Sequence, residues 1–319
     1  MRTAPGIAPA QRGPILVILM ALLGACDEGP PPPSLATPGQ PRDSIADPRS
    51  NEGVYERNIV FMTAGADSVI VVPWLFRAST TEQGVERSAE GWLAHAGLWE
   101  PFFTDHWDSP PTRTPFRIHA RDPMDLVVGP GNVIERIVFQ EGARQLQVVL
   151  GEGMSDWTGN RGETFRVHRG AALFGNVRVE GMVMDMNRAR LKDSPAPGEW
   201  MFLTGPERLA IVIESTGVSP SHTAWGRRGD QEFRWPEVEV EWTSVRSFEE
   251  ARRDVPVAWT IRSIDGDMEV SLASTGMDLQ AGVGEGPLLP INGLYQVAGP
   301  LIMSGDTLDI RGLVRHVQR

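Results

Sequence analysis

The chain has 319 residues, 41% of them hydrophobic and 22% charged, which is the composition of a folded globular protein. Its 34 glycines and 26 prolines imply many turns and argue against an all-helical protein. Acids outnumber bases 41 to 30 and Lys192 is the only lysine, so a nucleic acid held on a basic face has little support, and neither a P-loop nor a Schiff-base lysine fits the Arg-Leu-Lys-Asp context.

The first element in the chain is a leader. Arg2 and Arg12 precede the nine-residue apolar run Ile15–Leu23, which as a helix would span about 14 Å against about 30 Å of bilayer hydrocarbon. It therefore reads as a signal-peptide core over residues 1–25 and not as a membrane span. Leu23-Gly24-Ala25-Cys26 follows directly and resembles the lipobox of bacterial lipoprotein precursors. That resemblance implies diacylglycerol (palmitate-type) modification of the Cys26 thiol and cleavage before it. Cys26 is the only cysteine, so an intrachain disulfide is excluded. Residues 26–50 form a tether: seven prolines fall within 27–50, including Pro30 to Pro33, and such a stretch stays extended, reaching up to about 75 Å at ~3.1 Å per residue. Removing 1–25 leaves a formal charge of −13, so acyl chains rather than a basic surface would hold the protein at the membrane. The expected location is the cell envelope, membrane-anchored and facing outside the cytoplasm.

Residues 51–319 read as an all-β globular region: an antiparallel barrel, tandem barrels or a large β-sandwich with one short helix. In chain order, strands are expected near 56–62, 68–78, 87–94, 115–120, 132–140, 144–150, 164–168, 176–184, 199–203, 208–215 and 231–235. Three further runs show period two with one wet face: Val238, Val240 and Trp242; Val257, Trp259 and Ile261; Met268, Val270 and Leu272. Glu141-Gly142, Asp265-Gly266 and Ser304-Gly305 carry the turn chemistry of hairpins. Ser247–Arg253 reads as the short helix, with Ser247 and Glu250 as a capping box before Val255-Pro256. If the region holds two sub-barrels, the boundary falls near 155–163. Fourteen to sixteen strands must dispose of their edges, which barrels and sandwiches do.

The closing segment places Gly293, Tyr295, Val297, Gly299, Gly305, Gly312, Val314 and His316 along two strands. This end resembles the lipocalin-like tandem-barrel family that includes carotenoid 1,2-hydratases and AttH-like proteins. The resemblance implies paired β-barrels and carries over no site residue.

Chemistry-bearing residues are densest between Trp92 and Asp108. His95, Glu100, Asp105 and His106, with Asp108, are candidates for acid–base work; Trp92, Trp99 and Trp107 are candidates for walling an apolar ligand site. The competing reading is that these rings are core and the charges decorate a loop before Pro110. His222 and His316 read as surface or structural strand histidines. G-x-S-x-G, H-E-x-x-H and P-loop motifs are missing from the sequence, and Gly282-Val-Gly284-Glu-Gly286 lacks the spacing of a dinucleotide site. No cofactor and no metal site is expected. The leading expectation is a lipid-anchored protein that binds a hydrophobic or amphiphilic small ligand in a β-barrel cavity lined by some of its ten tryptophans. The alternatives are an envelope scaffold or protein-interaction lipoprotein with a filled core, and a hydratase- or isomerase-like acid–base enzyme on the same scaffold.

Cys26→Ala removes the sole thiol available for acylation. The variant is expected to leave the membrane fraction or persist as uncleaved precursor, as followed by fractionation and intact mass; normal lipidation of it would refute the lipobox reading.

Overall fold

The computed structural model describes residues 53–63, 69–194, 198–216 and 221–319; the leader, Cys26 and the tether lie outside these. Seventeen antiparallel strands build two sheets. The first sheet contains β1 (Gly53–Thr63), β2 (Ile70–Thr81), β3 (Gly84–His95), β4 (Leu98–Ser109), β5 (Met124–Val128), β6 (Ile134–Glu141), β7 (Arg144–Thr158), β8 (Thr164–Phe174) and β9 (Val177–Leu191). Its order is β4-β3-β2-β1-β9-β8-β7-β6-β5, two meanders joined where β1 pairs with β9, and it curls into a half-barrel. The second contains β10 (Trp200–Gly205), β11 (Leu209–Ser215), β12 (Ser221–Arg228), β13 (Gln231–Phe248), β14 (Arg253–Ser263), β15 (Met268–Ala281), β16 (Ile291–Met303) and β17 (Asp306–Gln318). Here β10 pairs with β17, and the eight strands close into an up-and-down barrel.

The expected turn chemistry sits where the hairpins turn. Gly142, Gly266 and Gly305 have φ of 59°, 78° and 85°, in the left-handed region that a Cβ disfavours. The expected helix is absent. Ser247 pairs with Asp254 and Phe248 with Arg253, so Ser247–Arg253 is the tip of the β13–β14 hairpin, closed by Ala251 N–H donating to Phe248 O at 3.2 Å. Strand pairing decides this: the β13–β14 ladder runs to Phe248 and Arg253, leaving only four residues for the turn, while Ala251 and Val255 pack buried on Ile291. The expected strand at 115–120 is a strap instead. Its carbonyls at Pro115 and Arg117 accept from the Arg87 guanidinium at 2.9 and 2.8 Å, which leaves them unavailable to a ladder, while Phe116 and Ile118 cover Tyr55, Ala78 and Val85. The passage from half-barrel to barrel falls between Leu191 and Trp200. Residues 155–158 end β7 and 159–163 form the β7–β8 turn, where Gly159 N–H donates to Glu163 O at 2.8 Å.

Three cores follow from the alternation of faces. Ile59, Phe61, Trp74 and Phe139 fill the half-barrel, and Phe102 lies 4.9 Å from Phe139 across its open seam. Met201, Ile211, Trp235, Trp259 and Tyr295 pack together inside the closed barrel. The third core lies between the sheets, where Met184, Phe165 and Trp92 meet Phe202, Val212 and Trp225. A clamp fixes the two sheets: Gln296 of β16 accepts from Gly97 N at 3.0 Å and donates to Val69 O at 3.2 Å. Gly97 and Gly276 touch so closely that a Cβ on either would overlap backbone of the other strand.

Inside the half-barrel Arg57 forms a forked ion pair with Asp185 at 2.7 and 2.5 Å, both side chains almost fully buried. Asp185→Ala leaves Arg57 buried and uncompensated and is expected to cost about 3–5 kcal/mol in urea unfolding. Pairing it with Arg57→Met should recover much of the loss, because the desolvation of an unpaired charge then disappears.

Candidate functional site

Where the apolar core between the sheets ends, a recess of about 330 Å3 opens, within the ~300–1,000 Å3 of ligand sites. Strand register builds it. On the half-barrel, Arg188 (β9), Glu56 (β1), Arg77 (β2), Ser88 (β3) and His106 (β4) stand directly opposite one another in one row across five strands. Asn58, Leu75 and Glu90 form the next row. On the outer face of the barrel the facing row is Glu214 (β11), Trp200 (β10), Arg315 (β17), Leu294 (β16) and Asp278 (β15). All of these except Glu214 line the recess.

One guanidinium joins the two rows. Arg188, 5% exposed, donates to Glu56 at 2.8 Å and to Glu214 at 3.0 Å. Behind it Arg161 sits 3.8 Å from Glu214 and 2.7 Å from Glu163, so charges alternate from Glu56 to Glu163. Burial alone would raise the Glu56 carboxyl, but Arg188 and Arg315 outweigh it and hold it down at about 2. Burial and the nearby Glu163 push Glu214 up to about 7 against the pull of Arg188 and Arg161. Two carboxyls on one arginine are thus split into a permanent anion and a group that exchanges its proton near neutrality.

The structure divides the Trp92–Asp108 cluster rather than assembling it. That segment is strand, and a β-bulge opposite Gly91 and Trp92 shifts which side chains of β4 share a face. Trp92 and His106 line the recess. Trp99 packs against the core between the sheets, whereas Trp107 packs with the half-barrel interior under Arg121. Asp105 faces Arg121 at 3.5 Å and Glu100 faces Arg144 at 3.3 Å; His95 and Asp108 are exposed. His222 lies in β12 opposite Ser215 and Val238. His316 is buried in the barrel with Nδ1 3.3 Å from Glu199 Oε1, a carboxylate that also accepts from Trp259 Nε1 at 2.9 Å. Among the described residues no three His, Cys, Asp or Glu side chains come together to hold a metal ion. Sequence reasoning missed Glu56, Arg77, Arg188, Glu214 and Arg315; the available signal was an alternating charged face, which also marks a strand face in water.

No family model matches the chain, and no curated protein matches it in sequence. Solved structures match it in fold. A protein assigned as an AttH from Nitrosomonas europaea superposes with a TM-score of 0.57 at 10% identity, covering 87% of this chain and 98% of its own. Kievitone hydratase from Nectria haematococca gives 0.51 at 13% identity, over 88% and 94%, and CghA with Sch210972 gives 0.50 at 12%, over 84% and 89%. The fold is that of the lipocalin-like tandem barrels.

The Glu214 carboxyl, at about 7 in the folded chain against its usual 4.5, holds its proton more tightly folded than unfolded. Its contribution to stability is therefore complete below pH 4.5 and is lost as the pH rises to 7. Relative to Glu214→Gln, the native chain is expected to lose up to about 1.4 kcal/mol per pH unit across that window, measured by urea unfolding at stepped pH.

Proposed function

We propose that the protein binds a small amphiphilic ligand in the recess between its half-barrel and its barrel, and does so at a membrane to which acyl chains on Cys26 attach it. The observation that carries this is the recess itself: about 330 Å3, walled by Trp92, Trp200, Leu75 and Leu294 on apolar surface and by Glu56, Arg188 and Arg315 on charged surface. A filled-core scaffold has no need of such a space, and a purely apolar ligand has no need of its arginines.

A second reading, acid–base turnover of the same ligand, draws on the split between Glu56 and Glu214 at about 2 and about 7. It also draws on the hydratase among the proteins of like fold. In it Glu56 stays an anion that steadies developing positive charge, Arg188 holds both carboxyls in place, and Glu214 stores the exchangeable proton behind it.

Decanol and decanoate, titrated into the protein, are expected to change its tryptophan fluorescence. Trp92→Phe should weaken binding about tenfold, whereas Trp107→Phe, on the opposite face, should leave it unchanged. Absence of both a spectral change and heat in calorimetry at saturating concentrations of both probes would refute the recess as a ligand site. Glu56→Gln should abolish turnover yet spare binding if the second reading holds.

A further inference from the structure

We infer that the ligand of the recess carries an oxyanion, a carboxylate or phosphate-type group, seated on Arg315 beside Arg77. The inference rests on the recess being a ligand site and adds the chemical class of what enters it.

Several donors that line the recess are without a protein partner. Arg315 stands on β17 between Trp200 and Leu294 and borders the recess. Its guanidinium makes no hydrogen bond or ion pair among the described residues. Glu56 exerts the largest carboxylate field on it, with Glu90 adding to it, but Glu56 is already committed to Arg188 at 2.8 Å. Glu90 and Asp278, the other acids of the lining, make no ion pair either. Arg77 is exposed at the opening and equally free of a partner. Three neutral donors share this condition: Asn58 Nδ2, Trp92 Nε1 and Trp200 Nε1 are buried with no acceptor, and all three residues line the recess.

A half-buried guanidinium without a protein partner is open to an anion, and each buried N–H without an acceptor is costly. A cation would relieve none of these donors, and an alcohol head offers Arg315 a single neutral oxygen with no charge to match it. An oxyanion supplies several lone pairs at once and matches the fork of a guanidinium. The apolar remainder of the ligand then lies on Leu75, Leu294 and the tryptophan rings. Arg188 is already held by Glu56 and Glu214, which leaves Arg315 and Arg77 as the cations open to the anionic head.

The test uses four probes with one ten-carbon chain: decanoate, decylphosphonate, decanol and decylamine, titrated into the full chain by calorimetry and tryptophan fluorescence. The two anions are expected to bind at least tenfold more tightly than the alcohol and the amine, with an advantage that shrinks as salt rises from 50 to 500 mM. Arg315→Gln should remove that advantage while leaving decanol within twofold, and Arg315→Lys should keep only part of it. If Arg315→Gln fails to fold, the exposed Arg77→Gln should still reduce the preference for the anions. Equal binding of all four probes, or an unchanged preference in both variants, would overturn the oxyanion while leaving the recess standing. Silence from all four would overturn both.

Discussion

Arg188 is the most deeply buried cation through which the two sheets are paired among the described residues. A guanidinium buried to this degree cannot be left unpaired, because the desolvation of an isolated cation costs several kcal/mol. It therefore needs Glu56 from its own sheet and Glu214 from the other, at 2.8 and 3.0 Å. That requirement fixes the registration of β1 and β9 against β11 to within the length of a hydrogen bond. The facing rows of polar side chains, and hence the recess, exist because this clasp holds the sheets at that register on one side while the Gln296–Gly97 clamp holds them on another.

How far the fold was legible follows from what period two encodes. Alternation identified most strands of the barrel, though not β12 (Ser221–Arg228), and Gly142, Gly266 and Gly305 marked three hairpins because only a few residue types accept positive φ there. Alternation also misled locally. Ser247 to Arg253 carries residues suited to a capped helix, yet hairpin pairing on both sides and the burial of Ala251 and Val255 override that local preference. The segment 115–120 is apolar enough for a strand, but its carbonyls belong to Arg87, a partner 28 to 30 residues away in sequence that no local pattern reveals.

The site was less legible for a different reason. A strand shows which residues share a face, not what that face meets. Glu56, Arg77, Arg188 and Arg315 look in sequence like charges on wet faces; they are instead set opposite a second sheet. Trp92 and His106 were visible as part of a dense cluster, but the cluster's apparent unity was contiguity in sequence. The pleat and the bulge at Gly91 and Trp92 send its members to the recess, to the core between the sheets, to the half-barrel interior and to solvent. The ten tryptophans behave likewise: Trp74, Trp235 and Trp259 fill the two barrel interiors, and only Trp92 and Trp200 border the recess.

The contrast between the two ends of the interface bears on why the recess is there. Over most of their contact the sheets meet through Met184, Phe165, Phe202, Val212 and Trp225, an apolar seam that stabilises at about 25 cal/mol per Å2 removed from water. The same strands could have carried that pattern to their ends. Replacing buried ion pairs with apolar residues of similar volume is often neutral or stabilising, so folding alone gives no reason to keep Glu56, Arg188 and Glu214 between the sheets or to leave Arg315 without a partner beside them. The fold is shared with proteins only 10 to 13% identical, which shows how little of the sequence it needs. What it does not need, and this chain nevertheless holds at one end of the seam, is a set of opposed charges lining a recess: Glu56, Arg77, Arg188 and Arg315 on strands that elsewhere carry apolar side chains to the same interface.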